Sequence, residues 1–432
     1  MRRFCPRAVE PGELPRIEFW NVLTGAMGNI FMRTVFFFSP FFVYYAKACG
    51  FEHQHFGLLS FFMYLTVLFQ LCSSHLERTF GNRKKLWLFL VLPGRAIFFW
   101  YVVTNLSPNG IIAVLVFGMI LSNLADPVWF GWYFDYMPAE MRGRFWSKRT
   151  VIVSVGVLLA TVLGAFAMWA SPEDGKLTVC KWIMGIGVSM GVLDVILHAI
   201  FIPVPPKQPN HNHPIGELII PLRNRKFRKW TLILASWSFA TATMGPACLP
   251  FIMDDLQLGK NFLTLVFTIT VLMFVGVMLG WKQMGQLIDK CGAKPVLLIS
   301  HFLWALVPLL YYFANPENAV FMIGACFLLC GVFVSAGAAN AWEKVKGELT
   351  PEDRTMFIAV LTVATTFASA LGALLEAWFV HQYGVYNVFL LSLACRCFAF
   401  FLFFRLEMNS PQMTVKETIR FWWAGIGNGS HL

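Results

Sequence analysis

The sequence predicts an all-α membrane protein of twelve transmembrane helices, arranged as two pseudo-symmetric six-helix bundles. Three observations lead there. Hydrophobic residues make up 57% of the 432 positions and charged ones only 13%, against roughly 45–50% and about 25% in soluble domains. The mean hydropathy is +0.63, and the apolar residues fall into repeated runs near the ~20 residues a helix needs to cross a bilayer. Finally, two short basic turns recur 211 positions apart, at Gly81 and Gly292. A large soluble helical core is excluded, because so many apolar helices would have no polar faces to offer water.

Taken in order, the spans fall near 20–46, 56–76, 86–105, 111–135, 150–170 and 179–203. After a linker they resume near 230–253, 261–281, 296–314, 319–342, 356–380 and 386–405. This divides the chain into an arm (1–19), a first bundle (20–203), a linker (204–229), a second bundle (230–407) and a tail (408–432). The net charge of +11 invites a nucleic-acid partner, but the positions of the charges argue against one. With both termini on the cytoplasmic side, 27 of the 34 Lys and Arg lie inside. Lys47, Lys176, Lys181 and Lys260 lie outside, and Arg33, Arg95 and Arg396 lie within spans. The basic excess is a positive-inside topology signal, with anionic lipid headgroups as its natural partner. The ten cysteines are scattered mainly through spans and read as small packing residues, not as metal ligands or redox pairs. No cleavable leader is evident: the first 19 residues are charged and punctuated by proline, and the first apolar run is too long.

Span 1 is polar for a lipid-facing helix, with Asn29 and Arg33 four apart on one face. Its outer half is bulky, and Phe36–Phe38 followed by Pro40 predicts a bend. Span 4 carries Ser122, Asp126, Trp129 and Tyr133 as one polar and aromatic stripe. In the linker, His211 and His213 have no further ligands close in sequence and read as solvated, and 214–229 reads as an interfacial helix. In the tail, Phe421-Trp422-Trp423 is expected at the membrane surface.

The stretch Gly285-Gln-Leu-Ile-Asp289-Lys290-Cys-Gly292-Ala-Lys294 reads as a short loop, with glycines that let the chain reverse. Its spacing resembles the signature loop of the major facilitator superfamily of secondary transporters. A weaker copy stands at Ser73–Lys84, with Glu77 for Asp, Ser for the first Gly, and Gly81 one residue late. The segments Trp132–Arg149 and Trp342–Arg354 similarly resemble the family's loop between helices four and five and its echo in the second half. The resemblance implies parallel six-helix repeats that rock about a central site lined by helices 1, 4, 7 and 10. It implies a cytoplasmic gate in which Asp289, Gly285, Gly292 and Lys294 meet Arg142, and Glu77 and Arg78 meet Arg354. Span 5 lacks the Gly-Pro pair that resembles the drug–proton antiporter signature; Gly156 and Gly164 fit helix crossing instead.

Ionisable groups inside spans usually face the bundle interior or a water-filled cavity. Arg95 has depth-matched acids in Asp126 and Asp194, each about 13–14 Å from the cytoplasmic end of its span at ~1.5 Å per residue, and a structural ion pair is expected. Arg33 lies about 20 Å in and suits a carboxylate or phosphate. The substrate-binding residues expected are therefore Arg33, Asn29, Asp126, Trp129, Tyr133, Trp237 and Asn340, with Asp126 and Glu376 as proton-coupling groups. No phosphate-cradling Gly-Lys-Ser/Thr loop is present, and no nucleophile–base grouping suggests an enzyme. The expected protein is a monomeric secondary transporter of the bacterial inner membrane. It uses no cofactor, couples to protons with sodium as the alternative ion, and moves a small organic solute with an anionic group. A lipid or lysolipid flippase of the same fold, and a transporter-like sensor that moves nothing, are the competing readings.

Overall fold

In the computed structural model the described residues are 11–36, 38–136, 139–204, 220–349, 354–408 and 411–427; among these, the side chains of Arg78, Tyr133, Arg142 and Arg354 lie outside the description. The described elements are all helical. Twelve segments are long and apolar enough to cross a membrane. They are Leu14–Ala48, His53–Cys72, Arg83–Val103, Pro108–Trp129, Ile152–Ala170 and Glu173–Phe201, then Arg225–Met253, Phe262–Cys291, Ala293–Tyr312, Ala319–Lys346, Val360–Tyr383 and Val385–Phe403. Contacts divide the chain into Met1–Asn212 and His213–Leu432, each holding six spans.

The two units use the same helix pairings. In the first, span 1 packs on spans 5 and 6, span 4 on spans 2 and 3, and span 3 on span 6; in the second, span 7 packs on 11 and 12, span 10 on 8 and 9, and span 9 on 12. The chemistry repeats too. Buried Lys84 donates to the Ile202 carbonyl at 3.0 Å, and Lys294, 210 positions later, donates to the Leu406 and Phe404 carbonyls at 2.6 and 3.1 Å. Each lysine thus satisfies the terminal carbonyls of its unit's last span, the end of a helix where a cation is favoured. Trp132 and Trp342, also 210 apart, each pack on a buried histidine of their own unit, His198 and His301.

Spans 1 and 7 are both interrupted. The first is Leu14–Val35 followed by Pro40–Ala48, with Phe36 extended between them. The second is Arg225–Ala242 followed by Gly245–Met253. Proline supplies no N–H and clashes with the preceding turn, so each span restarts just ahead of Pro40 or Pro246. The bend expected in span 1 is thus a full break.

Two elements differ from the sequence reading. The stretch from Gly285 to Lys290 is not loop but the last turns of a helix, Leu272–Cys291. The reversal is made by Gly292 alone (φ 97°), as Gly81 (φ 64°) makes it in the first unit, because a side chain is strained at such φ. A side chain added at Gly285 would meet nothing within 4 Å. The basic residues assigned to an interfacial helix also move. Arg225, Lys226, Arg228 and Lys229 form the first turn of span 7, capped by the Asn224 side chain at 3.1 Å from the Lys226 and Phe227 amides; the linker itself, 205–219, lies outside the described residues.

Helix crossings rest on glycine. Gly276 and Gly280 of span 8 face the backbone of span 10 around Leu328–Val332, Gly94 and Gly118 face each other between spans 3 and 4, and Gly372 faces Phe239 between spans 11 and 7. Without a hydrophobic force between helices in lipid, such close backbone approach supplies the packing. Gly156 and Gly164 serve as expected, against Ala26 and Phe41.

Beyond the last span the chain folds back as the helix Val415–Gly427. Met413 N–H donates to the Cys291 carbonyl at 2.9 Å, and the Gln412 side-chain Oε1 accepts from the Lys294 amide at 2.9 Å, so the tail is fastened to the Gly292 turn. Phe421 and Trp422, expected at the membrane surface, instead turn inward onto the core of spans 8–10. A second tie is the Lys229–Glu407 pair at 2.6 Å, in which Lys229 holds the Glu407 carboxyl below its ordinary value. A depressed carboxyl contributes stability that is fully present above the ordinary value and is lost as pH falls through the depressed one. Acidifying across that window should therefore raise hydrogen exchange around 405–408 in the wild type. Glu407→Gln should exchange at the raised level throughout and show no pH step of its own.

Candidate functional site

The sequence-selected polar residues separate into two groups, one locked into the cores and one left uncovered by its own unit. In the first unit the core group centres on spans 3, 4 and 6. Arg95 pairs with Asp194 and donates to the Gly191 carbonyl at 2.8 Å. Gly28 leaves the room for this pair, since a Cβ there would lie 2.6 Å from Asp194 Oδ2. Of the two acids depth-matched to Arg95, Asp194 is the partner.

His198 is fixed from both sides. Trp129 Nε1–H donates to His198 Nε2 at 3.1 Å, so Nδ1 carries the ring proton and donates to Thr24 Oγ1 at 3.2 Å, whose hydroxyl can then turn toward the Asn21 carbonyl at 3.4 Å. Both ring nitrogens are thus satisfied in the neutral form, with Trp87 and Trp132 closing over the ring. Trp129, expected to stack on a substrate, is half-buried, and its ring N–H fastens span 4 to span 6.

The second unit holds His301 similarly. Its Nδ1 lies 2.8 Å from the Leu297 carbonyl, and Trp237, Trp304, Trp342 and Phe403 surround it. Trp237 is 3% exposed, a core ring against His301 and not a stacking surface for solute in this conformation. Asn340 is half-buried and donates to the Ala336 carbonyl of its own helix at 2.8 Å. The hydroxyls of spans 7 and 11 behave likewise: Ser236, Thr241 and Thr365 donate to carbonyls four residues back.

What remains uncovered is a smaller set. Asn29 and Arg33 are exposed on one face of span 1. Asn29 donates to the Gly25 carbonyl at 2.8 Å, leaving its side-chain carbonyl outward. Arg33 stacks on Phe38 at 5.2 Å and makes no ion pair among the described residues. On span 4, Asp126 is exposed and has no hydrogen-bond or ion-pair partner among the described residues. Tyr133 continues this stripe in sequence, but its side chain is outside the description. Glu376 on span 11 is the opposite case: it is fully buried, and among the described residues neither carboxyl oxygen has a hydrogen-bond partner. An ionised carboxylate is very costly in such surroundings.

The gate residues are placed as follows. Glu77 pairs at 2.6 Å with Arg83 of its own unit, and Lys294 is engaged by the last span of its unit, so its ammonium is a structural cap. Asp289 is exposed in the last turn of span 8, against that helix's own negative end, and makes no hydrogen bond or ion pair among the described residues. Arg78, Arg142 and Arg354 have side chains outside the description. Sequence reasoning missed Lys84, Gly28, Trp132 and Arg149, which donates to Asn21 Oδ1 at 2.8 Å. Lys84 and Trp132 had a signal in the 210-residue recurrence with Lys294 and Trp342, and Gly28 and Arg149 had none of that kind.

Twelve apolar spans, in two units that repeat the same helix pairings, define a multi-pass integral membrane protein. The sequence model of the Major Facilitator Superfamily matches residues 22–283 and 238–422, and the chain belongs to that superfamily. That superfamily is one of transporters. A gallate transporter of Pseudomonas putida is 28% identical over 160 residues, 37% of this chain and 34% of that protein, so the matched region spans about a third of the relative. Among solved structures, the nucleoside transporter NupG superposes with a TM-score of 0.72 at 10% identity, covering 90% of this chain and 99% of the other. A bacterial homologue of the human lysosomal transporter Spinster gives 0.67 at 13%, covering 92% and 98%. These two likenesses show the fold.

Proposed function

We propose that this protein is a secondary active transporter of small organic anions, driven by a proton gradient. It works by alternating access in a bacterial cytoplasmic membrane, with both termini on the inner side. The observation that carries the reading is Arg33, an uncovered cation at membrane depth without an acidic partner among the described residues. Holding a guanidinium there is expensive unless an anion visits it. The gallate relative, whose name is that of an aromatic carboxylate, supports the same class of solute.

Asp126 takes the proton in this scheme. It is uncovered and unpaired, whereas Arg95 has been satisfied by Asp194. Glu376, buried in the second unit, is the other candidate carrier. Asp289 serves as the gate anion, placed where its own helix end repels it and a partner outside its unit would relieve it; Arg142 keeps the opposing role assigned by resemblance. No cofactor is needed.

Uptake into proteoliposomes tests the proposal, with an imposed inward proton gradient and labelled gallate, benzoate, a nucleoside and a neutral sugar. Carboxylates should accumulate. Arg33→Ala should reduce their uptake by roughly 10–100-fold, the worth of a hydrogen bond to a charged group, and Arg33→Lys should recover part of it. Asp126→Asn should keep carboxylate exchange but lose gradient-driven accumulation. Preferred uptake of the neutral solutes, with Arg33→Ala unaffected, would sink the anion reading.

A further inference from the structure

We infer that the tail helix Val415–Gly427 is a docking element for anionic lipid headgroups, which it reads with one face while the other grips the Gly292 turn. The inward face is occupied. Thr418 is fully buried, Trp422 packs edge-on against Phe333 at 5.8 Å, and Phe421 lies under the Lys290 ammonium at 5.2 Å. The outward face carries Lys416, Ile419, Arg420 and Trp423, all exposed, Trp423 at 67%. Their spacing of three, four and seven residues puts them on a single stripe.

Position fixes what that stripe can meet. Gln412 and Met413 are bonded to the turn between spans 8 and 9, and Lys294 in that turn is bonded to the end of span 12 at Leu406. The helix therefore starts level with the ends of three spans, at the depth of the headgroups. A stripe of two cations with a tryptophan and an isoleucine matches an anionic interface: the ring sits among the headgroups, the aliphatic chain enters the acyl boundary, and the cations meet phosphates. The one acid beside the stripe, Glu417, is already engaged: it accepts from the Thr414 amide and hydroxyl, each at 2.8 Å. Arg223, Arg225, Lys226 and Arg228 are exposed next to Lys229, whose tie to Glu407 brings this basic turn to the same end of the unit.

The test uses full-length protein in vesicles of phosphatidylcholine and phosphatidylglycerol at equal mole fraction, with brominated acyl chains on one lipid or the other. Trp423 emission is taken as the difference between the wild type and Trp423→Phe. Brominated phosphatidylglycerol should quench it several-fold more than brominated phosphatidylcholine, since two basic residues near a surface correspond to enrichment on the order of tenfold or more. The double variant Lys416→Glu, Arg420→Glu should quench equally with both. Equal quenching of the wild-type signal by the two lipids overturns the headgroup preference. No quenching by either places this face on something other than lipid, a protein partner included, and overturns the inference outright. Because the decisive comparison is between lipids on unaltered Lys416 and Arg420, it stands even if the charge-reversed variant folds poorly.

Discussion

Valine at Gly276 is expected to destabilise the protein by about 3 kcal/mol, at the upper end of the overpacking range. A Cβ at this position would lie 2.2 Å from the Leu328 carbonyl oxygen and 3.0 Å from Gly331 Cα. Neither neighbour is a side chain that could swing aside, so span 8 and span 10 must part. The facing position repeats the constraint, since a Cβ at Gly331 would lie 2.3 Å from the Met273 carbonyl. Buried Cys291 and Cys326 make a thiol-reactive dye a direct reporter of unfolding in a thermal ramp. Gly285→Ala is the internal control: its site is open, so its melting temperature should match the wild type or rise slightly with the gain in helix propensity. Equal melting temperatures for Gly276→Val and Gly285→Ala would show that the crossing is looser than described. The control also separates stability from transport, because family resemblance assigns Gly285 to the gate while the fold of its own unit does not need it.

Asp194→Ala should cost about 3–5 kcal/mol, because it leaves the Arg95 guanidinium charged and short of its acid inside the first unit. The remaining bond to the Gly191 carbonyl and the Phe31 ring at 5.3 Å do not neutralise the charge. Restoring a matched environment should recover most of the loss: Arg95→Met with Asp194→Leu replaces the pair by apolar side chains of similar reach, an exchange often neutral or stabilising. The check is a double-mutant cycle of thermal melts. Additive losses in the double variant would mean that the two residues act separately. The transport prediction is sharper still: on the proposed function, which gives the solute's cation to Arg33 and not Arg95, the apolar double variant should keep carboxylate uptake.

These two results bear on how the site was assembled from the sequence. Polar residues inside spans were legible as a set, because burying them in lipid is expensive and the alternatives are few. Their division of labour was not. Asp126 and Asp194 have the same depth, and depth is all that 1.5 Å per residue conveys; which of them faces Arg95 depends on the packing of span 3 on span 6. Trp129 and Trp237 looked alike to a sequence reader, as large aromatics on helices expected to line the site. One is tied to His198 and the other packs against His301, because rotation about the helix axis, which depth along a span does not convey, sets the face each ring takes.

By itself the sequence determined the class of protein. Span length, apolar composition and the sidedness of lysine and arginine reflect the bilayer as solvent, and they need no tertiary information. It also pointed to the duplication, through Gly81 and Gly292, since glycine takes positive φ with the least strain. Tertiary structure alone decided the partners. The lysine of the signature stretch, Lys294, proved to cap the last span of its unit, as Lys84 does in the other, and Glu77 proved to be held by Arg83. Both outcomes follow from carbonyls and charges brought together by residues more than a hundred positions away or by a turn whose geometry the residue types do not specify. The sequence named the charged groups, and the fold chose which of them, Arg33 and Asp126, stay exposed on their own unit.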